Sequence, residues 1–156
     1  MIVCGIDCGL SGALAFLSDS PADLCVYDTP LTEKGTVDWE GVVALFGTHC
    51  PQQAIIEICF NNLGLVKMAG GFIALLSYVG VPTVETAVVS WKKALFGENH
   101  KDKERSIALC QQLYPKADLW RPTPKGKKKN LDHNRAEAVL LAHYLRQRLS
   151  VPKSGD

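Results

Sequence analysis

Ile2-Val3-Cys4-Gly5-Ile6-Asp7-Cys8-Gly9-Leu10-Ser11-Gly12-Ala13-Leu14-Ala15-Phe16-Leu17 joins two short apolar runs through a glycine-rich turn and sets an acid at the end of the first. Runs of this length, broken by Gly-x-x-Gly, read as a β-hairpin. A third strand follows at Leu24-Cys25-Val26-Tyr27 and closes at Asp28-Thr29-Pro30, so the first three strands form an antiparallel meander. Asp38 is placed to cap a helix through about Phe46, with Trp39, Val42, Val43, Leu45 and Phe46 as its apolar side. Ala54-Ile55-Ile56-Glu57-Ile58 then reads as a buried strand, and its position after a helix predicts that it adds parallel to the first. Residues 67–79 read as a helix in which Gly70-Gly71 permits close packing, 82–87 as a strand, and 91–96, 103–113 and 133–149 as helices. Residues 115–130 are rich in Pro, Gly and Lys and read as a mobile loop. The expected architecture is α/β: a mixed five-stranded sheet, its first three strands antiparallel, flanked by helices.

A chain of 156 residues suits one domain, expected over residues 1–150, with 151–156 as a flexible tail. Its apolar stretches fall short of the roughly 20 residues a membrane span needs. The opening residues carry no basic leader, which predicts a cytoplasmic protein. Six cysteines (Cys4, Cys8, Cys25, Cys50, Cys59, Cys110) show no CxxC or zinc-like spacing and read as reduced core or near-core thiols. The net charge of +1 hides a division. Residues 1–91 hold two lysines against nine acids, whereas 92–148 hold fourteen Lys or Arg against six acids. A basic second half suits a polyanion, since neutralisation of phosphates by Lys and Arg dominates nucleic-acid affinity; a solvated basic surface is the plain alternative.

Glu57 interrupts an otherwise apolar strand, and a buried carboxylate needs something to offset its desolvation. A salt bridge, an outward-facing edge position and ligation of a hard divalent cation would each serve. Asp7 ends the neighbouring strand and can converge with Glu57, although an acid before a glycine turn is also a common turn former. Asp132-His133-Asn134-Arg135-Ala136-Glu137-Ala138 opens the last helix. Glu137 reads either as a third site acid or as a first-turn acid favoured by the helix dipole, and Asp132 either as a fourth or as the N-cap. Three or four such carboxylates can hold two metal ions about 4 Å apart, one activating water and one stabilising the leaving oxygen of a phosphodiester. His133 shares the helix face of Glu137 and could carry a proton. His49, His100 and His143 have no partner that makes a site.

Taken together, Gly5-Ile6-Asp7-Cys8-Gly9-Leu10-Ser11-Gly12-Ala13, Ile56-Glu57, Trp91-Lys92-Lys93, Lys101-Asp102-Lys103-Glu104 and the 132–138 stretch resemble, in order and spacing, the RuvC family of Holliday junction resolvases, particularly its short bacteriophage versions. The resemblance implies an RNase H-like fold and a homodimer that nicks a four-way DNA junction in pairs with Mg²⁺ or Mn²⁺, two ions per site. It implies Asp7, Glu57 and Glu137 as metal-site acids with Asp132 the fourth, and Lys103 at the catalytic centre. Lys92 and Lys93 resemble lysines that lie near the scissile phosphate, with solvated helix charges as the alternative. Phe60 resembles an aromatic set against junction bases, with core packing as its alternative, and Lys125, Lys127, Lys128 and Lys129 would contact the DNA backbone.

There are departures. Cys8 stands where the family usually has Pro, and Asn134 where many bacterial relatives have an acid, which puts the fourth ligand in question. A broader branched-DNA or flap nuclease, and a catalytically silent branched-DNA-binding protein, fit the same residues. Sugar-kinase and actin-like ATPases share the Asp-hairpin opening, but need two such lobes.

Overall fold

The computed structural model describes residues 1–97, 103–122 and 129–150. Its main sheet has five strands: β1 (Val3–Asp7), β2 (Ala13–Leu17), β3 (Leu24–Asp28), β4 (Gln53–Ile58) and β5 (Thr83–Ala87). The spatial order is β3-β2-β1-β4-β5. β1, β2 and β3 pair antiparallel, while β4 joins β1 and β5 joins β4 in parallel. This is the mixed sheet that the opening hairpin and the helix-separated later strands require.

Alternation along the strands divides the core in two. Val3, Ala13, Ala15, Leu17 and Ile55 face one way, toward α3 (Val88–Phe96), α4 (Lys103–Leu113) and α5 (His133–Ser150). Cys4, Ile6, Leu14, Phe16, Ala54 and Ile56 face the other, toward Val42 and Phe46 of α1 (Trp39–His49) and Ala69, Phe72 and Leu76 of α2 (Leu63–Tyr78). Gly71, as its sequence context suggested, allows close packing: a Cβ there would stand 2.6 Å from the Trp39 ring, whereas one on Gly70 would meet nothing.

Three expectations change. Residues 115–130 are not all loop. β6 (Trp120–Pro122) and β7 (Lys129–Leu131) pair antiparallel as a second, two-stranded sheet leading directly into α5. α2 starts four residues earlier than its periodicity suggested, because Asn62 caps it by accepting from the Leu65 amide at 3.2 Å. Cys50 is an exposed thiol, not a near-core one: it closes α1 in the left-handed region (φ 45°), a C-terminal position that lies at the surface. Lys125, Lys127, Lys128 and the 151–156 tail lie outside the described residues. Among the described residues, no helix is long and apolar enough to cross a membrane.

Arg121 of β6 anchors the small sheet to the large one. It donates to the Ser11 and Gly12 carbonyls at 2.6 and 3.0 Å and to Asp28 Oδ1 at 3.0 Å. Arg135 donates to the same Asp28 oxygen at 2.6 Å and to the Asp118 carbonyl at 3.1 Å. The two arginines hold the Asp28 carboxyl below its ordinary range against the opposing effect of its partial burial.

A candidate acidic active site

Parallel pairing sets Ile6 beside Ile56, so the next residues, Asp7 and Glu57, end up adjacent on neighbouring strands. Both follow the side-chain alternation of Val3 and Ile55 and project toward α5. Glu137 comes to them from α5, where residues 135–142 are all buried. It is the fifth residue of that helix, which begins at His133, so the first-turn dipole reading does not apply.

Asp7 and Glu137 are 8% and 6% exposed, and Glu57 is half-buried. Burial raises the Asp7 pKa well above its ordinary value; Glu57, Glu137 and Asp132 push it further and Lys92 opposes them. Glu57 is raised by burial and by Glu137, against the Trp91 hydrogen bond and Lys92. Lys92 is the described cation whose charge opposes both shifts.

The acidic group's donors come from the helices on that face. Lys92 Nζ is 2.6 Å from Glu137 Oε1, and Ser106 of α4, 1% exposed, donates to the same oxygen at 3.1 Å. Trp91 Nε1 donates to Glu57 Oε2 at 2.6 Å. Lys92 thus lies inside the acidic group, while Lys93 is exposed on α3. The Lys103 and Lys129 side chains are outside the described set, though both backbones are within it.

Asp132 is the N-cap of α5. Its Oδ1 accepts from the Asn134 and Arg135 amides at 2.9 and 3.0 Å, and its Oδ2 is 3.3 Å from Arg121 Nε. Asn134 donates to the Ser11 carbonyl at 2.6 Å, a contact that a carboxylate at that position could not make. Phe60, just after β4, is 75% exposed, so core packing is excluded as its role. Cys8 lies buried on the opposite face; burial, then Asp7 and Glu57, keep its thiol protonated and poorly reactive. His49 bonds the Tyr27 hydroxyl at 2.9 Å and stacks on Phe16, while His143 bonds the Tyr114 hydroxyl at 2.8 Å, so both have structural partners.

Among the described residues no three His, Cys, Asp or Glu side chains stand arranged to hold a metal ion as they are. The chemistry of the donor set still fits one. Carboxylate oxygens suit hard divalent cations, and Asp7 and Glu57 are desolvated where neighbouring acids raise their pKa values further.

Sequence reading missed Trp91, Ser106 and Arg121 as partners of this group. The only signal for Trp91 was its place beside Lys92; Ser106 and Arg121 had none, since their partners lie far along the chain.

The fold is shared with solved Holliday junction resolvases. Thermus thermophilus RuvC superposes with a TM-score of 0.64 at 19% identity, covering 96% of this chain and 98% of that one. Fowlpox virus resolvase, solved with substrate Holliday junction DNA, gives 0.64 at 16%, covering 94% and 99%. In sequence, crossover junction endodeoxyribonuclease RuvC of Burkholderia pseudomallei is 31% identical over 130 residues, 72% of this chain and 71% of that protein. The counterpart from Bradyrhizobium diazoefficiens is 28% identical over 97 residues, so the chain spans 55% of that relative's length. No protein-family model matches. The chain belongs to the RuvC family of crossover junction endodeoxyribonucleases.

Proposed function

We propose that this protein is a divalent-metal-dependent endonuclease that resolves four-way DNA junctions by paired nicks. The observation that carries this reading is the burial of Asp7, Glu57 and Glu137 together on one face of the sheet, with Lys92 as the cation among them. Asp7, Glu57 and Glu137 would hold Mg²⁺ or Mn²⁺, two ions per site. Asp132 adds negative charge from its cap position, where both oxygens are already engaged. When bound, such ions supply an activated water and stabilise the leaving oxygen of the phosphodiester. The chain's own part is to hold three acids in register from two strands and a helix, with Glu137 held by Lys92.

The domain of residues 1–150 would work as a homodimer, because a two-fold protein presents two sites to the two strands of a pseudo-symmetric junction. Lys93, Lys103, Lys125, Lys127, Lys128 and Lys129 supply backbone contacts, with Lys103 nearest the chemistry. The junction-bound fowlpox resolvase, similar in fold, supports branched DNA as the partner. The setting would be the cytoplasm of a bacterium or an infected cell.

The test is cleavage of a synthetic four-way junction, a three-way junction and a linear duplex, in Mg²⁺ and in chelator. Paired, metal-dependent nicks confined to the four-way junction are expected. Equal cutting of all branched forms would assign a broader branched-DNA nuclease, and junction binding without any cut would assign a silent binding protein.

Phe60 gives a second prediction. An exposed ring just beyond β4 can stack on an unpaired base, which is worth about 1–3 kcal/mol per base. Phe60→Ala is expected to weaken junction binding roughly tenfold while leaving the melting temperature unchanged, since the ring is 75% exposed. Gel-shift titration with a four-way junction checks it, and unchanged affinity would remove Phe60 from the DNA surface.

A further inference from the structure

α5 packs on β4, and Glu57 and Glu137 are linked a second time through α3. Trp91 presents its indole N–H to Glu57 Oε2 at 2.6 Å and its ring face to Lys92 Nζ, 5.2 Å from the centroid. Lys92 in turn meets Glu137 Oε1 at 2.6 Å, and Ser106 of α4 donates to that same oxygen. A continuous path of Glu57, Trp91, Lys92, Glu137 and Ser106 therefore crosses the acidic group. Two of its members cannot readily move: Trp91 is fully buried and packed at 6.3 Å against the Phe96 ring, and Ser106 is 1% exposed.

A carboxylate on a side chain with several rotatable bonds binds an ion weakly unless something fixes its orientation. Donors behind the ligands do this, and their loss typically weakens metal affinity about 10–100-fold. A buried indole can serve only if its N–H finds an acceptor, and the acceptor here is a half-buried acid whose neighbours are also acids.

We propose that Trp91 and Ser106 are the positioning residues of the acidic centre, each fixing one glutamate, Glu57 and Glu137 respectively, by a hydrogen bond to a single oxygen. The inference rests on the metal-site reading above. Trp91 has an additional part, because its ring face steadies Lys92, which draws on the cation–π attraction of a desolvated site. Trp91→Phe keeps most of the ring and its packing and removes the N–H donor. Ser106→Ala removes only a hydroxyl.

The experiment is Mn²⁺ binding by titration calorimetry in the absence of DNA, on wild type, Trp91→Phe, Ser106→Ala and Phe96→Leu, with thermal melts in chelator. Phe96→Leu disturbs the packing around Trp91 but touches neither acid. Expected are roughly tenfold weaker Mn²⁺ binding for Trp91→Phe and Ser106→Ala, and unchanged affinity for Phe96→Leu despite a lowered melting temperature. Should Trp91→Phe fail to fold, Ser106→Ala decides alone. Wild-type affinity in the folded positioning variants, or a loss in Phe96→Leu equal to theirs, would overturn the inference and leave the metal site standing. Absence of Mn²⁺ binding by the wild type would overturn the metal-site reading and the inference with it.

Discussion

Asp7→Asn is expected to cut the rate of junction cleavage severely while making the metal-free protein more stable. The two effects have one origin. Asp7 is buried beside Glu57 and Glu137, and its pKa is raised first by burial and then by those acids. An acid whose folded pKa lies above its unfolded value binds its proton more tightly in the folded state. Stability then falls as pH rises from the ordinary aspartate value through the raised one, and at neutral pH the ionised group works against folding. Asparagine removes that charge and keeps the shape. In chelator the variant should melt higher than wild type at pH 7, and the difference should shrink toward pH 4. The same substitution removes the acid that terminates β1, with a loss of cleavage rate of about a hundred- to a thousandfold, the scale for deleting one fixed electrostatic contribution to a transition state. Melts across pH in chelator and single-turnover cleavage in Mg²⁺ check the pair. Full cleavage by Asp7→Asn would remove it from the metal centre, and a lower melting temperature would mean that its charge is compensated in the folded protein.

Strand-end acids were legible because each stands out locally. Asp7 closes an apolar run before a turn, and Glu57 sits within Ala54-Ile55-Ile56-Glu57-Ile58, where an uncompensated charge has no ordinary place. The sheet was legible for a related reason: short strands, the later ones separated by helices, leave few connections that keep the first and fourth parallel. Glu137 was ambiguous, because its distance from the start of α5 depends on whether Asp132 is the cap, and the capping bonds to Asn134 and Arg135 decide that. β6 and β7 were hidden since three-residue strands carry no usable periodicity and one of them contains Pro122. Trp91 and Ser106 show the deeper limit. Each is bonded to an acid more than thirty residues away, and no pattern within a helix window reports a partner at that separation. The same holds for Arg121, whose carbonyl acceptors lie 109 and 110 residues earlier.

Gly5 is where fold and site depend on the same contact. A Cβ placed on it would stand 2.1 Å from the Ala138 carbonyl oxygen and 2.5 Å from the Ala142 amide nitrogen, both backbone atoms of α5. Neither can turn aside as a side chain would, so Gly5→Ala must push α5 off β1 by more than an ångström to reach ordinary contact distance. Overpacking a well-filled core costs about 1–3 kcal/mol and occasionally more; here the obstacle is main chain, and about 3 kcal/mol or more is expected. For a chain of this size that corresponds to a fall in melting temperature of roughly 6–12 °C. The displacement acts on the site as well, because β1 carries Asp7 and α5 carries Glu137 one residue before Ala138. Moving α5 outward separates these two acids, which should weaken their mutual repulsion and with it any shared hold on a cation. Gly5→Ala is therefore expected to lower both the melting temperature and, at a temperature where the variant is still folded, the Mn²⁺ affinity. Gly71→Ala is the informative comparison: its Cβ would stand 2.6 Å from the Trp39 ring, in the α1–α2 layer across the sheet from α5. Thermal melts with calorimetric Mn²⁺ titration on both variants separate the contributions. Wild-type stability in Gly5→Ala would mean that α5 does not approach β1 this closely, and unchanged Mn²⁺ affinity in a destabilised Gly5→Ala would mean that the ion does not need Asp7 and Glu137 at their present separation.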